Sequence, residues 1–474
     1  MAQYSQPVFG LVGYPFPSYL KATQALEVKH RLSPCEWKRG KLLFTVILLC
    51  GTAVEPLQAG EFAYGVGYMP EYSDNITRVS ANEKNDLINT LFAGFSYQEN
   101  TQDVVARVLT QATYNNYKNN TYDDETLFDL NSSAVWTISP QRFFWTLEDT
   151  FQQGLIDTTR PDTPTNVTDI NILSTGPDVY FHLSPVQTLL LGARAEDLYT
   201  GEVDGGDNKR ITGTASWAYQ STATTTLSLN YQIMDVMYDK PSNNIDYTRQ
   251  EEFFRADFHL ARSQYILDLG NRSIRFDQGT DLSGALKRFT WIRESTPQSR
   301  FGASYADEYS DSGTATLATS AAAPGSGLPS VSRTLVTGDV YHTVGGSVFY
   351  DHLGSRIGMH LLAGRHELDY ATTPQDNRET DGFLQFDYFF TPVTVARIFT
   401  YYTKTEYLDF VREDRDLDSS IRLDHHFTRT VSLGLGARRI ERHSSDPTQS
   451  YVDNRVLLTL LYSSGPLFTP LHMR

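Results

Sequence analysis

The feature that most constrains the fold is a period-two alternation of apolar and polar residues along most of the 474-residue chain. In one clear example, Leu227, Leu229, Tyr231 and Ile233 alternate with Thr, Ser, Asn and Gln. Successive side chains of a β-strand point to opposite faces, so each such segment has one apolar and one polar face. The sequence therefore predicts an all-β fold whose strands are apolar on one side only.

Many of the alternating segments are about ten residues long or longer. Strands of soluble proteins centre on about five or six residues, whereas a tilted strand that crosses a bilayer needs about nine to eleven. No segment after residue 60 has the roughly twenty apolar residues that a membrane-spanning helix requires. The strand length favours a membrane β-barrel, and a soluble β-rich binding protein is the alternative fold.

Short and long connections alternate between these strands. The short ones lie near residues 99–103, 139–142, 184–187, 221–225, 261–264, 295–298, 351–355, 391–392 and 428–429. The long polar ones span residues 70–85, 115–124, 152–169, 200–208, 235–247, 273–283, 310–337, 367–380, 406–413 and 440–450. Short turns at one rim and long loops at the other are typical of outer-membrane barrels. The pattern predicts a transmembrane antiparallel up-and-down β-barrel of about 20 strands, within a range of roughly 16–22, with both ends periplasmic.

Aromatic residues gather near both ends of the alternating segments. Amphipathic rings favour the headgroup level of a bilayer, where they form two belts, so we expect these rings to face lipid. The aromatics beside short turns are Tyr97, Trp136, Phe143, Trp145, Phe181, Tyr219, Phe258, Phe301, Phe390 and Phe427. Those near long loops are Tyr114, Phe151, Tyr199, Tyr238, Tyr305, Tyr402 and Tyr407.

Residues 1–60 are predicted to be an N-terminal extension followed by a secretory signal peptide. Basic residues precede the short apolar run 42–54, and 57–59 offers a cleavage site near 59/60. A helical anchor is the alternative reading of the same run. The barrel is then expected over residues 61–463, followed by a short C-terminal tail, 464–474.

Composition excludes several functional classes. Both cysteines, Cys35 and Cys50, precede the predicted cleavage site, so the mature chain is expected to have no disulfide or cysteine nucleophile. Residues 61–474 hold 34 basic and 53 acidic side chains, a net charge of −19. This charge argues against nucleic acid as a partner, because phosphate binding requires basic faces.

The sequence shows no catalytic motif. It has no zinc-binding His-Glu-x-x-His, no P-loop and no nucleophile elbow. The best metal candidates are His425 with His426, and the group His360, His366 and Glu367, but neighbouring strand residues point to opposite faces. We therefore expect no enzyme activity, metal or cofactor. An outer-membrane enzyme acting on lipid or glycan through Ser and His on adjacent strands is the alternative.

Charged residues on the polar faces are the candidate functional residues. A charged side chain facing lipid costs roughly 2–4 kcal/mol for Arg or Lys at mid-bilayer, so these residues are expected to line the lumen. The set is Arg107, Glu148, Arg194, Arg255, Asp257, Asp268, Arg288, Arg356, Asp387, Arg422, Asp424, Arg438 and Arg455. In one interpretation, opposite charges on neighbouring strands pair with each other. In the other, the arginines form a path that binds sugar hydroxyls and carboxylates, which suit the guanidinium fork.

The longest connection, 310–337, is rich in Ser, Ala, Gly and Pro. This composition is typical of a mobile extracellular loop. Loops of this kind also fold inward as plugs in large barrels, which is the alternative.

Several short motifs resemble outer-membrane β-barrels associated with PEP-CTERM/exosortase systems, which are encoded beside exopolysaccharide genes. These motifs are EYSDNI at 71–76 with DLI at 86–88, RFFW at 142–145 with Glu148, Asp149 and Gln153, and STGPD at 174–178. The resemblance implies a role in export or assembly of extracellular polysaccharide, with no catalytic site to carry over. One departure is the tail ending in Arg474, since many such barrels end on an aromatic residue of the last strand.

The leading functional expectation is an outer-membrane channel or docking protein for polysaccharide export in a Gram-negative cell. A general or small-solute porin is the alternative, and an outer-membrane enzyme is the third. Expected partners are outer-membrane lipids, the barrel-assembly machinery, polysaccharide and periplasmic export components.

Overall fold

The computed structural model describes residues 60–201, 206–240, 244–311, 313–314, 332–335 and 339–465. The predicted signal peptide and most of the predicted tail lie outside these residues. Within the described ranges, no helix is long and apolar enough to cross a membrane.

Twenty long strands form the wall of the molecule. They are β1 (Glu61–Ser73), β2 (Asp86–Asn100), β3 (Val104–Tyr117), β4 (Glu125–Ser139), β5 (Phe143–Leu155), β6 (Val167–Ser184), β7 (Gln187–Tyr199), β8 (Asn208–Thr222), β9 (Thr225–Tyr238), β10 (Tyr247–Leu260), β11 (Ser263–Phe276), β12 (Leu282–Thr296), β13 (Ser299–Asp311), β15 (Val340–Leu353), β16 (Ile357–Tyr370), β17 (Asn377–Thr391), β18 (Thr394–Tyr407), β19 (Arg412–His426), β20 (Val431–Ser444) and β21 (Tyr451–Ser463). A short strand, β14 (Ser332–Leu335), and two 3-10 turns, Pro164–Asn166 and Pro447–Gln449, lie in connections.

The sheet closes on itself. Each long strand pairs antiparallel with its neighbours, and β13 pairs directly with β15. The first strand also pairs with the last, from Gly65 opposite Ser463 to Ser73 opposite Arg455. Closure leaves the wall without an unpaired edge strand. The predicted antiparallel barrel of about 20 strands is therefore confirmed.

The two faces of the wall have opposite chemistry. Apolar side chains stand on the outer face, where Leu229 and Val456 are 55% and 56% exposed. Charged side chains fill the inner face, where Glu251, Asp268 and Arg272 are at most 2% exposed. A soluble sandwich buries its apolar residues and exposes its charges. The soluble interpretation is therefore wrong, and lipid covers the outer face.

The nine predicted short turns are confirmed among the described residues. They lie at 101–103, 140–142, 185–186, 223–224, 261–262, 297–298, 354–356, 392–393 and 427–430. The strand ends that the long connections join lie at the opposite rim, which is the extracellular side of an outer-membrane barrel.

The strands extend further toward the extracellular rim than the sequence indicates. The connection predicted at 367–380, for example, is only 371–376. Beyond the apolar belt, cross-strand ion pairs stabilise the outer face, such as Arg378 Nη2 with Glu367 Oε2 at 2.5 Å and Lys404 with Glu413. These polar strand ends project above the hydrocarbon layer, where the apolar alternation stops although the backbone pairing continues.

Two aromatic residues expected to face lipid lie on the inner face instead. Tyr238 packs against Met234, Val236 and Tyr247 in a buried cluster. Tyr407 is also buried. The strand parity explains the error for Tyr238, since it shares a face with Met234 and Val236 rather than with the apolar residues of the outer face.

We expect Leu269→Arg to lower the free energy of unfolding in lipid vesicles by about 2–4 kcal/mol, because Leu269 faces lipid in the middle of β11. Met237→Arg lies on the same face near the extracellular end of β9 and should cost about 0–1 kcal/mol. Urea titration of the folded barrel measures both values. Equal costs would contradict the assignment of Leu269 to the membrane.

Candidate functional site

The extracellular end of β5 leaves the wall. It last pairs with β4 at Leu130 opposite Phe151, yet it stays paired with β6 as far as Leu155 opposite Val167. The short strand Ser332–Leu335 pairs in parallel with this end of β5. This strand belongs to the long connection between β13 and β15, which lie far from β5 in the strand order. Ser332–Leu335 therefore lies across the barrel from β13 and β15.

The connection between β5 and β6, residues 156–166, is called here the β5–β6 loop. Asn166 holds it together, because its amide donates to the carbonyls of Asp157 at 2.8 Å and Pro161 at 3.1 Å. The Asn166 side-chain oxygen accepts from the backbone N–H of Asp157 at 3.1 Å. Bonds within the loop thus hold its shape, in addition to the contacts that it makes with the rest of the barrel.

The β5–β6 loop crosses the lumen to the opposite wall. Tyr407 Oη donates to the carbonyl of Thr158 at 3.3 Å. Arg412 Nη2 and Arg442 Nη1 both donate to the carbonyl of Thr159, at 2.6 and 3.2 Å. These donors lie on β18, β19 and β20, far from β5 in the strand order. The loop therefore forms a bridge inside the barrel.

Two further contacts hold the margins of the loop. Arg78, in the connection between β1 and β2, donates to the carbonyl of Asp162. Thr158 Oγ1 donates to Gln375 Oε1, in the connection between β16 and β17, at 3.2 Å. The loop is thus attached to several separate parts of the extracellular rim.

A cavity of about 370 Å³ lies between the β5–β6 loop and the facing wall. Its walls come from the inner faces of β1–β3 and β17–β21. Its aromatic lining residues are Tyr117, Phe399, Tyr401, Tyr407 and Tyr451. Its charged lining residues are Glu71, Arg78, Arg160, Asp162, Glu379, Arg397, Asp416, Asp418, Arg422, Arg438, Arg442 and Arg455. The cavity combines aromatic rings with a high density of guanidinium groups.

Four of the seven cavity arginines stand in cross-strand pairs. Arg397 on β18 lies directly opposite Arg422 on β19, and Arg438 on β20 lies opposite Arg455 on β21. Like charges in this position repel each other. Each pair therefore needs carboxylates nearby to be stable.

Every one of these four arginines has a carboxylate partner. The contacts are Arg397 Nε to Asp387 at 2.7 Å, Arg422 Nε to Asp424 at 2.7 Å, Arg438 Nε to Asp418 at 2.9 Å, and Arg455 to Glu71 and Asp453 at 2.5 and 2.6 Å. The carboxylates offset the charge and fix the guanidinium orientation. The result is a rigid surface of charged hydrogen-bonding groups, which bind oxygen atoms more strongly than neutral groups do.

A second ionic cluster occupies the inner face of β8–β13. Arg210 and Arg249 both contact the Asp311 carboxylate, at 2.7 and 2.8 Å. Arg272 contacts Glu251 at 2.6 Å, and all five side chains are almost completely buried. Because these charges contact one another and are inaccessible to solvent, this cluster is closed to a solute.

The structure divides the thirteen sequence-predicted residues among several places. Arg422, Arg438 and Arg455 line the cavity, where Asp387 and Asp424 contact the arginines. The others with partners are Arg194 with Asp178, Arg255 with Asp268, Arg288 with Glu308, and Asp257 with His259. Arg107 and Glu148 are exposed side chains of β3 and β5.

The prediction that Arg356 lines the lumen is wrong. It lies in the turn between β15 and β16, not on a strand, because its carbonyl accepts from the N–H of Phe389 as the chain reverses at residues 354–356. A turn residue at the periplasmic rim does not line the lumen wall.

Several site residues were missed by sequence reasoning. Arg78, Arg412 and Arg442 fall in stretches that read as loops, so no face could be assigned to them. Arg397 could have been found, because it stands between Ala396 and Ile398 in an alternating segment. Its parity is that of the inner face.

The structure gives no support to a metal centre or a hydrolase triad. In the described part of the chain, no group of three His, Cys, Asp or Glu side chains is placed to hold a metal.

Ser299 Oγ and His352 Nδ1 lie 2.8 Å apart on adjacent strands. The neighbouring Asp351 is engaged elsewhere, since it accepts from Arg300 and contacts His360. Ser299 and His352 therefore form a hydrogen bond near the periplasmic rim, without Asp351 as the third member of a triad.

The inverted distribution of polarity and the closed wall define the class of this protein. It is a bacterial outer-membrane β-barrel, and a loop crosses its lumen above an arginine- and tyrosine-lined cavity.

No protein-family model matches the chain, and no curated protein matches it significantly. Solved structures similar to it include the ferric enterobactin receptor PfeA of Pseudomonas aeruginosa, with a TM-score of 0.49, 10% identity and coverage of 86% of this chain and 81% of that one. The FrpB iron transporter of Neisseria meningitidis has a TM-score of 0.45 and 11% identity, with coverage of 86% of this chain and 83% of that one. OpdK of Pseudomonas aeruginosa has a TM-score of 0.36 and 9% identity, with coverage of 85% of this chain and 99% of that one. Similarity at this level does not indicate what this barrel binds.

We expect Gly434→Val to lower the free energy of unfolding by about 1–3 kcal/mol, the usual cost of overpacking. A Cβ at Gly434 would lie 2.4 Å from Arg422 Nη2 and 2.5 Å from Asp424 Oδ1. Gly382→Val is the control, since nothing lies within 4 Å of that position. Urea titration compares the two, and an equal loss would show that the Arg422–Asp424 pair tolerates displacement.

Proposed function

We propose that this barrel is an outer-membrane channel or docking protein for a saccharide and acts in export of extracellular polysaccharide. The observation that carries the proposal is the combination of aromatic rings and oriented guanidinium groups around one cavity. A sugar ring offers an apolar C–H face and a set of oxygen atoms. Aromatic rings pack against the C–H face of a sugar, and charged donors bind its oxygen atoms.

The pairing of the cavity charges favours saccharide over simple ions. A lumen that selects small ions uses an excess of one charge to attract them, whereas here each of the four paired arginines contacts a carboxylate. Paired groups keep their hydrogen-bonding geometry while carrying little net charge. Such a surface suits hydroxyl groups, and the planar guanidinium fork also matches the geometry of carboxylates.

The sequence motifs support the same proposal. Their resemblance to barrels encoded beside exopolysaccharide genes supports polysaccharide and periplasmic export components as proposed partners. Outer-membrane lipids and the barrel-assembly machinery are proposed partners because the protein is an outer-membrane barrel. Deleting the gene should abolish or strongly reduce surface polysaccharide, measured by sugar analysis of the washed cell surface. A plasmid copy should restore it. Unchanged polysaccharide in the deletion strain would refute the export role.

A conductance measurement tests the site itself. Oligosaccharides cut from the cell's own polysaccharide should block single-channel current through the purified barrel. Arg422→Gln should weaken this block about tenfold, the effect of losing one charged hydrogen bond. Phe399→Leu should also weaken it, because it keeps apolar volume but removes the ring.

The matched control is Arg415→Gln, on the outer face and paired with Glu413. It should leave the block unchanged. Equal effects of Arg415→Gln and Arg422→Gln would show that the cavity does not hold the saccharide.

A small-solute porin is the second candidate, and the size of the cavity favours it. A space of about 370 Å³ lies at the lower end of pockets that hold a single small ligand. The same conductance measurement separates the two candidates, since a porin would show weakly selective current that oligosaccharide does not block.

A further inference from the structure

We propose that the β5–β6 loop is a latch released by ligand, and that a carboxylate-bearing saccharide replaces its carbonyl oxygens on Tyr407, Arg412 and Arg442. This inference rests on the proposed function, because it concerns the same lumen and names the class of saccharide. It also assigns a second binding position, at the extracellular end of the cavity.

The three donors form a ready-made acceptor site. They reach two consecutive carbonyls, and one of these, on Thr159, accepts from two guanidinium groups at once. Two guanidinium groups converging on one oxygen is an arrangement suited to an anion. The peptide carbonyl that now fills it is neutral, so a carboxylate would bind the same donors more strongly.

The two arginines keep their counter-charges when the loop leaves. Arg412 contacts the Asp414 carboxylate at 2.9 and 2.6 Å. Arg442 contacts Asp416 at 2.8 and 3.2 Å. Release of the loop therefore leaves no buried cation without a counter-charge, which would otherwise oppose opening.

The loop is built to move as one piece. Its shape is fixed by the Asn166 bonds to Asp157 and Pro161, within the loop. Its stem on β5 is already separated from β4 beyond Phe151. Opening then breaks the bonds across the lumen while the barrel ladder stays intact.

A cross-link tests whether the position of the loop controls the pore. Thr158 and Gln375 are hydrogen-bonded across the rim, and the only native cysteines are Cys35 and Cys50. In a Cys35→Ser, Cys50→Ser background, Thr158→Cys with Gln375→Cys, bridged by a short bis-methanethiosulfonate reagent, should keep conductance low, because the reagent spans the extra length of the glutamine side chain. Dithiothreitol should raise it several-fold, whereas the Thr158→Cys single variant should not respond. Complete cross-linking with no change in conductance would overturn the latch.

A ligand titration tests the release. Trigalacturonate, which carries carboxylates, should raise the frequency with which the closed, unmodified barrel opens, a readout separate from block of the open channel, and neutral maltotriose should not. Thr158→Val removes the latch bond to Gln375, which is not one of the ligand-binding donors, and should lower the trigalacturonate concentration for half-maximal opening about two- to tenfold. Thr165→Val, whose hydroxyl contacts Thr163 within the loop, is the matched control. An equal response to both sugars would contradict the proposal.

The two proposals fail in different ways. If oligosaccharide still blocks the current and gene deletion still removes surface polysaccharide, the channel assignment stands even when the cross-link has no effect. In that case the latch alone is rejected.

Discussion

Backbone hydrogen bonding between β1 and β21 is the interaction on which the rest of this structure depends. Lipid offers no partner for a free N–H or carbonyl, so a sheet can cross a membrane only if its first and last strands meet. Once the ring is closed, the outer face needs apolar side chains across the hydrocarbon layer, and within that layer charged side chains belong inside the barrel. The arginines and carboxylates of the lumen are therefore confined by closure to a space where they must pair with each other.

That confinement gives the inner face two distinct characters. On β8–β13, arginines such as Arg249 and Arg272 are sealed into a network with Glu251 and stabilise the wall. On β18–β21, the paired arginines border open space beneath the β5–β6 loop. The same residue types thus act as a structural support on one side of the barrel and as a candidate binding surface on the other. What separates them is whether solvent reaches the guanidinium groups.

The wall could be predicted from the sequence because its information is local. Alternation along one strand fixes the faces, and turn residues such as those at 185–186 fix the strand ends. The strand ends beyond the apolar belt could not be assigned, since they are polar on both faces. The cavity also escaped prediction, because it depends on contacts such as Thr159 with Arg442, which are 283 residues apart. Neither segment has a periodic pattern that predicts this contact.

The parallel pairing of β14 with the end of β5 has a consequence for the order of assembly. Ser332–Leu335 is brought near Gly154 and Leu155 only by curvature of the whole wall, because their separation in the chain makes direct loop closure slow. We therefore expect the strands between β5 and β13 to pair with their neighbours before Ser332–Leu335 pairs with the end of β5.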